Sequence, residues 1–260
     1  MLRAALAMVR TAGLTVSLEH ISFEDVIREA DVSRTSAYRR WPHKDLFFSD
    51  LVLELARDPA PGIFTAELDM IERIVAGRLE ELADPGVRRA LVLELFRQLA
   101  MLDFETLYAS PGWRTYLALR ATFLSMAEGD LRDRLQAVLA QAGREHLARI
   151  ARSWELLADL FGFRLSPQAG VTFETLAMLV DAALGGLVLA ALTMPEVAAR
   201  RPPARPFGAP EGGEWPVPAL GLCAIAIGFL EPDPDFTWDA GRVAAVREVL
   251  AAANPGAAAP

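Results

Sequence analysis

The sequence predicts an all-α protein, with short helices at the N-terminus followed by a larger C-terminal helical bundle, about nine to ten helices in all. Three observations carry this expectation. Apolar residues recur at helical spacing along nearly the whole chain, while alternating apolar and polar runs rich in β-branched residues are missing. Of 260 residues, 53% are hydrophobic and 23% charged, a balance that buries a substantial core and argues against disorder.

The elements follow from caps and breakers. Leu2 to Ala12 forms a first helix, stopped by Gly13. Phe23 to Ala30 forms a second, with Phe23, Val26, Ile27 and Ala30 on one face. Ser22 is placed to cap it, its hydroxyl accepting a backbone N–H while Asp25 favours the positive helix end. Ser33 caps a third helix, Arg34 to Arg40, and Pro42 breaks the chain before a fourth, from Lys44 to about Arg57.

"DPAPG", Asp58 to Gly62, separates short helices from long ones and divides the chain into domains at 1–57 and 63–252, with 253–260 a disordered tail. Phe64 to Ala83, Pro85 to Leu102 and Pro111 to Ala127 follow as helices. Asp130 to Phe161 is the longest, and lines up Leu131, Leu135, Val138, Leu139, Ala142, Ile150, Trp154, Leu157 and Phe161 in a stripe that needs a partner surface. Thr172 to Thr193 is apolar on almost all sides and belongs in a core or a subunit contact, as does Val217 to Leu230. Between them, Pro195 to Pro218 holds seven prolines and three glycines and reads as a mobile loop. Trp238 to Ala252 is a last helix.

Several function classes find no support. Cys223 is the single cysteine, and the histidines at 20, 43 and 146 do not approach metal-ligand spacing, so neither a metal nor a cofactor is expected. Strictly apolar or glycine runs, such as Ala182 to Leu192, fall short of the roughly 18 to 20 residues that cross a bilayer, and no signal-peptide centre stands at the start. A cytoplasmic protein with no membrane partner is expected. Catalytic motifs of the G-x-S-x-G, H-E-x-x-H, P-loop and G-x-G-x-x-G kinds are missing, and no enzyme is expected.

One stretch stands apart. "VSRTSAYRRWPHKDLFF", Val32 to Phe48, gathers Arg34, Arg39, Arg40 and Lys44 with no acid between them, in a chain of formal charge −8. Two short helices joined by "ADVS", Ala30 to Ser33, have the layout of a helix-turn-helix, whose second helix enters the major groove of DNA. Val26, Ile27, Ala30, Val32, Ala37 and Trp41 supply the small core; Thr35, Ser36, Tyr38 and the guanidinium groups remain for phosphates and base edges. A charged helical face can equally be plain solvated surface. The net charge leaves room only for a local footprint, since screening confines each patch to about 8 to 10 Å at ordinary salt.

"FEDVIREADVSRTSAYRRWPHKDLFFSDLV", Phe23 to Val52, resembles the TetR-type transcriptional regulators in its helix, turn, "VS", recognition helix with a central tyrosine, aromatic, proline and lysine. The resemblance implies a homodimer with an N-terminal DNA-binding domain and a C-terminal domain that binds a small ligand. By position, Thr35 and Ser36 would face bases, Tyr38 and Lys44 would hold phosphates, and Ser22 would cap the second helix near the backbone. Ser33, Arg34, Arg39 and Arg40 complete the expected set on cap position, charge and helical position. Asp31 stands where the family usually has glycine; aspartate tolerates the left-handed conformation better than most residues. His43 stands where a better cap is usual, and the link before the second helix, "LTVSLEHIS", is about four residues longer than the family's.

The expectation is a repressor that binds a palindromic operator in double-stranded DNA, pairs through 172–193 and 217–230, and is released by a small apolar ligand. Met70, Met101, Tyr108, Trp113, Tyr116, Phe123, Met126, Trp154 and Met178 could line the ligand cavity or form ordinary core. The rival expectation is a helical small-molecule carrier or enzyme whose basic stretch is only a surface.

Overall fold

A computed structural model describes residues 1–12, 22–57 and 64–253. The described residues are 76% helix and 4% strand and form twelve α-helices, two or three more than the sequence suggests. They are α1 (Leu2–Ala12), α2 (Phe23–Glu29), α3 (Arg34–Arg40), α4 (Lys44–Arg57), α5 (Phe64–Val75), α6 (Pro85–Ala109), α7 (Pro111–Ser125), α8 (Asp130–Phe161), α9 (Phe173–Thr193), α10 (Glu196–Ala199), α11 (Val217–Phe229) and α12 (Ala240–Ala253). The link before Ser22, the "DPAPG" boundary and residues 254–260 lie outside the described residues.

Contacts divide the chain into two compact units, Met1–Pro61 with Ala109–His146, and Gly62–Tyr108 with Leu147–Pro260. The first passage between them falls inside "DPAPG", but residues 109–146 join the N-terminal helices because they complete their core. Leu119 of α7 and Leu135 of α8 are fully enclosed with Val9, Val26, Phe47 and Leu51. Phe47 is the centre of an aromatic cluster, with ring centroids 5.0 Å from Phe23, 5.1 Å from Trp41 and 5.5 Å from Phe48. Offset and edge contacts of this kind add about 0.5–1.5 kcal/mol per pair to the burial itself.

In the second unit, Ile71 and Val75 of α5, Leu91, Val92 and Leu95 of α6, Leu160 and Phe161 of α8, and Val243, Val246 and Leu250 of α12 form one core. The α8 stripe therefore serves two cores: Leu131, Leu135, Val138 and Leu139 belong to the first and Leu157 and Phe161 to the second. The helix expected over 64–83 ends at Val75, passes through a turn containing Gly77 and resumes as a 3-10 turn at Leu79–Ala83. Glycine is a poor helix former, which explains the break.

The proline-rich segment, expected as a mobile loop, holds a short hairpin. After α10, β2 (Pro203–Ala204) pairs antiparallel with β3 (Gly213–Glu214), and Trp215 packs inward with its ring 5.9 Å from that of Phe207. A second short pair, β1 (Phe163–Leu165) with β4 (Leu230–Pro232), is clamped by Arg164 donating to Glu231 at 2.9 and 3.0 Å.

α9 packs on α11 and buries Leu176, Ala177, Leu184, Val188 and Ala191, while Met178, Leu179 and Leu189 stay exposed. With a mean hydropathy of 2.1 over its most apolar stretch, α9 is long and apolar enough by composition alone to cross a bilayer, although no strictly apolar run within it reaches that length. The described helices include no other of which this is true. One third of that stretch is buried inside the protein.

Gly162 ends α8 at φ +72°, and a Cβ built there would lie 2.4 Å from the Phe236 ring. Its carbonyl accepts from Asp233 at 2.9 Å, so the loop cannot back away without losing that bond. Gly162→Ala should lower stability by about 2–4 kcal/mol, combining a left-handed alanine with a displaced ring, and read as a lower urea midpoint.

Candidate nucleic-acid interface

The geometry of the basic stretch begins with how α2 stops. Asp31 takes φ +50°, in the left-handed region. Its amide donates to the Arg28 carbonyl at 3.2 Å, and the Val32 amide donates to the Ile27 carbonyl at 3.3 Å. This pair of bonds is the Schellman closure, and Val32 packs in the same core as Ile27, the hydrophobic contact that accompanies it. Aspartate thus does here what glycine does with less strain.

α3 starts at once. Ser33 caps it as expected: its Oγ accepts from the Ser36 amide at 3.1 Å and donates to Ser36 Oγ at 2.9 Å. Ser22 does not cap α2. It occupies the capping backbone position and its carbonyl accepts from Val26 at 3.1 Å, but its hydroxyl makes no cap bond. Glu24 and Asp25 in the first turn supply the negative charge that favours this helix end.

Within α3 only Ala37 is buried. Trp41, just past its end, donates from Nε1 to Asp50 Oδ2 of α4 at 3.0 Å, and this bond with the Phe47 contact fixes the far end of the helix. Ser33, Arg34, Thr35, Ser36, Tyr38, Arg39, Arg40 and Lys44 are all exposed, whereas Ser22 is half-buried. The expected readout residues of α3 and the start of α4 are therefore open to solvent; of the expected core residues, Val26, Ile27, Val32, Ala37 and Trp41 join the first core, and Ala30 is half-buried.

The cations are not equivalent. Arg39 and Lys44 have no ion pair among the described residues. Arg40 sits over the Trp41 ring at 5.6 Å. Arg34 is engaged by Glu24 of α2, whose Oε2 accepts from Nε at 2.8 Å and from Nη2 at 2.5 Å. The other oxygen of the same carboxylate, Oε1, accepts from the Tyr38 hydroxyl at 2.9 Å. Those bonds from Arg34 and then Tyr38 hold the Glu24 carboxyl below its usual range. Hydrogen bonding to Glu24 raises both Arg34 and the Tyr38 phenol above theirs. Sequence reasoning did not single out Glu24; it lies ten residues from Arg34 on another helix, and only the fold brings the two together.

The residues expected to line a ligand cavity divide between the units. Trp113, Tyr116, Phe123 and Met126 lie in the first, where Phe123 and Met126 pack on the core and Trp113 stacks on Tyr116 at 5.2 Å. Met70, Met101, Tyr108, Trp154 and Met178 lie in the second. Trp154 stacks on Phe96 at 5.4 Å, Tyr108 on Phe104 at 5.8 Å, and Met178 is exposed. None of them lines either of two clefts in the second unit. The smaller, about 30 Å³, lies among Val92, Phe96, Phe163 and Ile227. The larger, about 400 Å³, runs between α6 and the β2–β3 hairpin past Glu94, Arg97, Glu211, Glu214 and Trp215.

Among the described residues no three His, Cys, Asp or Glu side chains come together as a metal site. Burial pushes the Cys223 thiol up to about 12, which keeps it protonated. Burial together with the neighbouring Glu67 carboxyl, which shares a hydrogen bond with it, pushes Asp103 up to about 8; Glu67 is raised as well, chiefly by burial. No protein-family model matches this chain, and neither a curated protein nor a solved structure matches it.

Two measurements follow from these environments. Asp31→Val should lower stability by about 1–2 kcal/mol, because a β-branched residue resists the left-handed turn, while Asp31→Gly should stay within about 1 kcal/mol of the parent. For Asp103, the unfolded chain releases its proton near the ordinary 3.8 and the folded chain only near about 8. Stability from this group is thus full below about pH 4 and lost as pH rises toward about 8. Denaturant midpoints across that window should fall, and less steeply in Asp103→Asn.

Proposed function

We propose that this chain is a sequence-specific DNA-binding transcriptional regulator of the TetR type, a cytoplasmic repressor that works as a homodimer. The observation that carries the reading is the surface of α3: Ser33 to Ser36, Tyr38, Arg39, Arg40 and Lys44 are exposed on one short helix and the start of the next. That helix is capped at Ser33 and anchored at Trp41. A short helix held at both ends, carrying hydroxyls, a phenol and cations of which Arg39 and Lys44 have no ion pair among the described residues, suits the major groove and its phosphates.

A second copy of the chain would pair through 172–193 and 217–230. The exposed Met178, Leu179 and Leu189 on α9 support this, since a face of that kind gains most by meeting its like. Two recognition helices set about 34–36 Å apart would then read a palindromic operator in double-stranded DNA. A small apolar ligand held in the second unit releases the operator if it binds the two states unequally; coupling of about 1–3 kcal/mol shifts affinity by roughly 5- to 150-fold.

The carrier reading keeps one observation of its own, the cleft of about 400 Å³ beside Trp215, which offers a small molecule both an aromatic wall and charged groups. Selection of bound fragments from random genomic DNA separates the two. The regulator enriches particular sequences; a carrier enriches none.

On a selected fragment, Arg39→Ala and Lys44→Ala should each weaken binding while leaving the far-ultraviolet circular dichroism unchanged. The loss for Arg39→Ala should be about 5- to 150-fold, the range for a base-reading arginine. Lys44→Ala should lower the salt slope of log affinity by about 0.9. Unaltered binding by both variants removes the proposed readout, and a monomeric mass at micromolar concentration removes the dimer.

A further inference from the structure

We infer that Glu24 is an internal competitor for DNA, a carboxylate on α2 that occupies Arg34 and Tyr38 of the recognition helix in the free protein and must surrender them to a backbone phosphate when DNA binds. The inference rests on the DNA-binding reading and adds a regulatory contact within that site. Arg34 and Tyr38 are one helical turn apart on α3, so they present donors on the same side. One carboxylate engages both side chains: Oε2 faces Nε and Nη2 of the Arg34 guanidinium at 2.8 and 2.5 Å, and Oε1 faces the Tyr38 hydroxyl at 2.9 Å. Two anionic oxygens ringed by a guanidinium and a phenol are the arrangement a phosphate would adopt.

The contact is at the surface, with the Arg34 side chain 71% exposed and that of Glu24 40% exposed. It is therefore weak enough to exchange. Exposed ion pairs contribute little to stability, so a polyanion that brings phosphates to this face can displace the carboxylate. The remaining cations behave differently. Arg39 and Lys44 have no competing acid among the described residues, and Arg28 is taken by Asp25 on its own helix. Glu24 alone links an acid of α2 to the groups of α3 expected to meet DNA. Its effect is to withhold one charge and one phenol from any chance stretch of duplex, lowering non-specific binding more than binding to an operator that aligns every other contact.

The test compares Glu24→Gln with Asp25→Asn in the full chain, using mixed-sequence duplex DNA and the selected operator fragment, with fluorescence anisotropy across a salt series. Glu24→Gln should tighten mixed-sequence binding by roughly 2- to 5-fold and steepen the salt slope by about 0.9, since one more cation meets phosphate. The ratio of operator to mixed-sequence affinity should fall. Asp25→Asn removes the same formal charge and should change mixed-sequence binding by less than about 2-fold. Equal effects of the two variants would mean general charge and overturn the inference.

A second readout needs no DNA. The Tyr38 phenol, held above the usual range mainly by its bond to Glu24, should titrate lower in Glu24→Gln, followed by ultraviolet absorbance against Tyr38→Phe as reference. An unmoved Tyr38 titration in a protein that binds DNA overturns the competitor and leaves the regulator intact. Failure of parent and variant alike to bind any duplex overturns the regulator and the competitor with it.

Discussion

The candidate interface depends on one constraint: α3 buries a single side chain, Ala37, and so cannot be oriented by its own packing. Its direction is imposed from outside, at the left-handed Asp31 on one side and at Trp41 on the other. The Schellman bonds from Val32 and Asp31 fix where the chain leaves α2, and the Trp41 indole, hydrogen-bonded to Asp50 and set against Phe47, fixes where it goes next. Every exposed group between those points inherits its position from them. This is an economical way to present polar chemistry, since a helix that buried more of itself would have less left to offer.

Charge works at a shorter range than the formal total suggests. The chain is −8, yet the surface around α3 is decided by pairs and their distances. Glu24 sets Arg34 apart from Arg39 although both are arginines of one seven-residue helix. Fields between exposed groups fade over about 8–10 Å, so acids elsewhere in the chain bear little on these pairs.

Much of the fold was legible because it follows from local rules. Helix bounds at α1 to α4, α8, α9 and α11 agree with periodicity, serine caps and proline breaks to within a residue or so. What sequence could not show is what depends on partners distant along the chain. The Ser22 hydroxyl had the right spacing for a cap but makes no cap bond. The hairpin around Trp215 hides behind prolines that forbid helix without saying what replaces it. Residues 109–146 look like the bundle that follows them, and only their packing with Phe47 and Leu51 assigns them to the first unit. At the candidate interface, exposure of Arg34, Arg39 and Arg40 was readable from helical position; the acid that meets Arg34 was not. The aromatic and methionine residues gave no such guide, because core and cavity draw on the same side chains.

The proline-rich hairpin has a thermodynamic side. Seven prolines between 195 and 218 restrict the unfolded chain there almost as much as the folded one. Ordering β2, β3 and the turn between them therefore surrenders less conformational freedom than ordering a glycine-rich segment of equal length. A structure with only two paired residues per strand can persist on the burial of Trp215 and a few backbone bonds. It places a stiff wall beside α6 at small entropic expense.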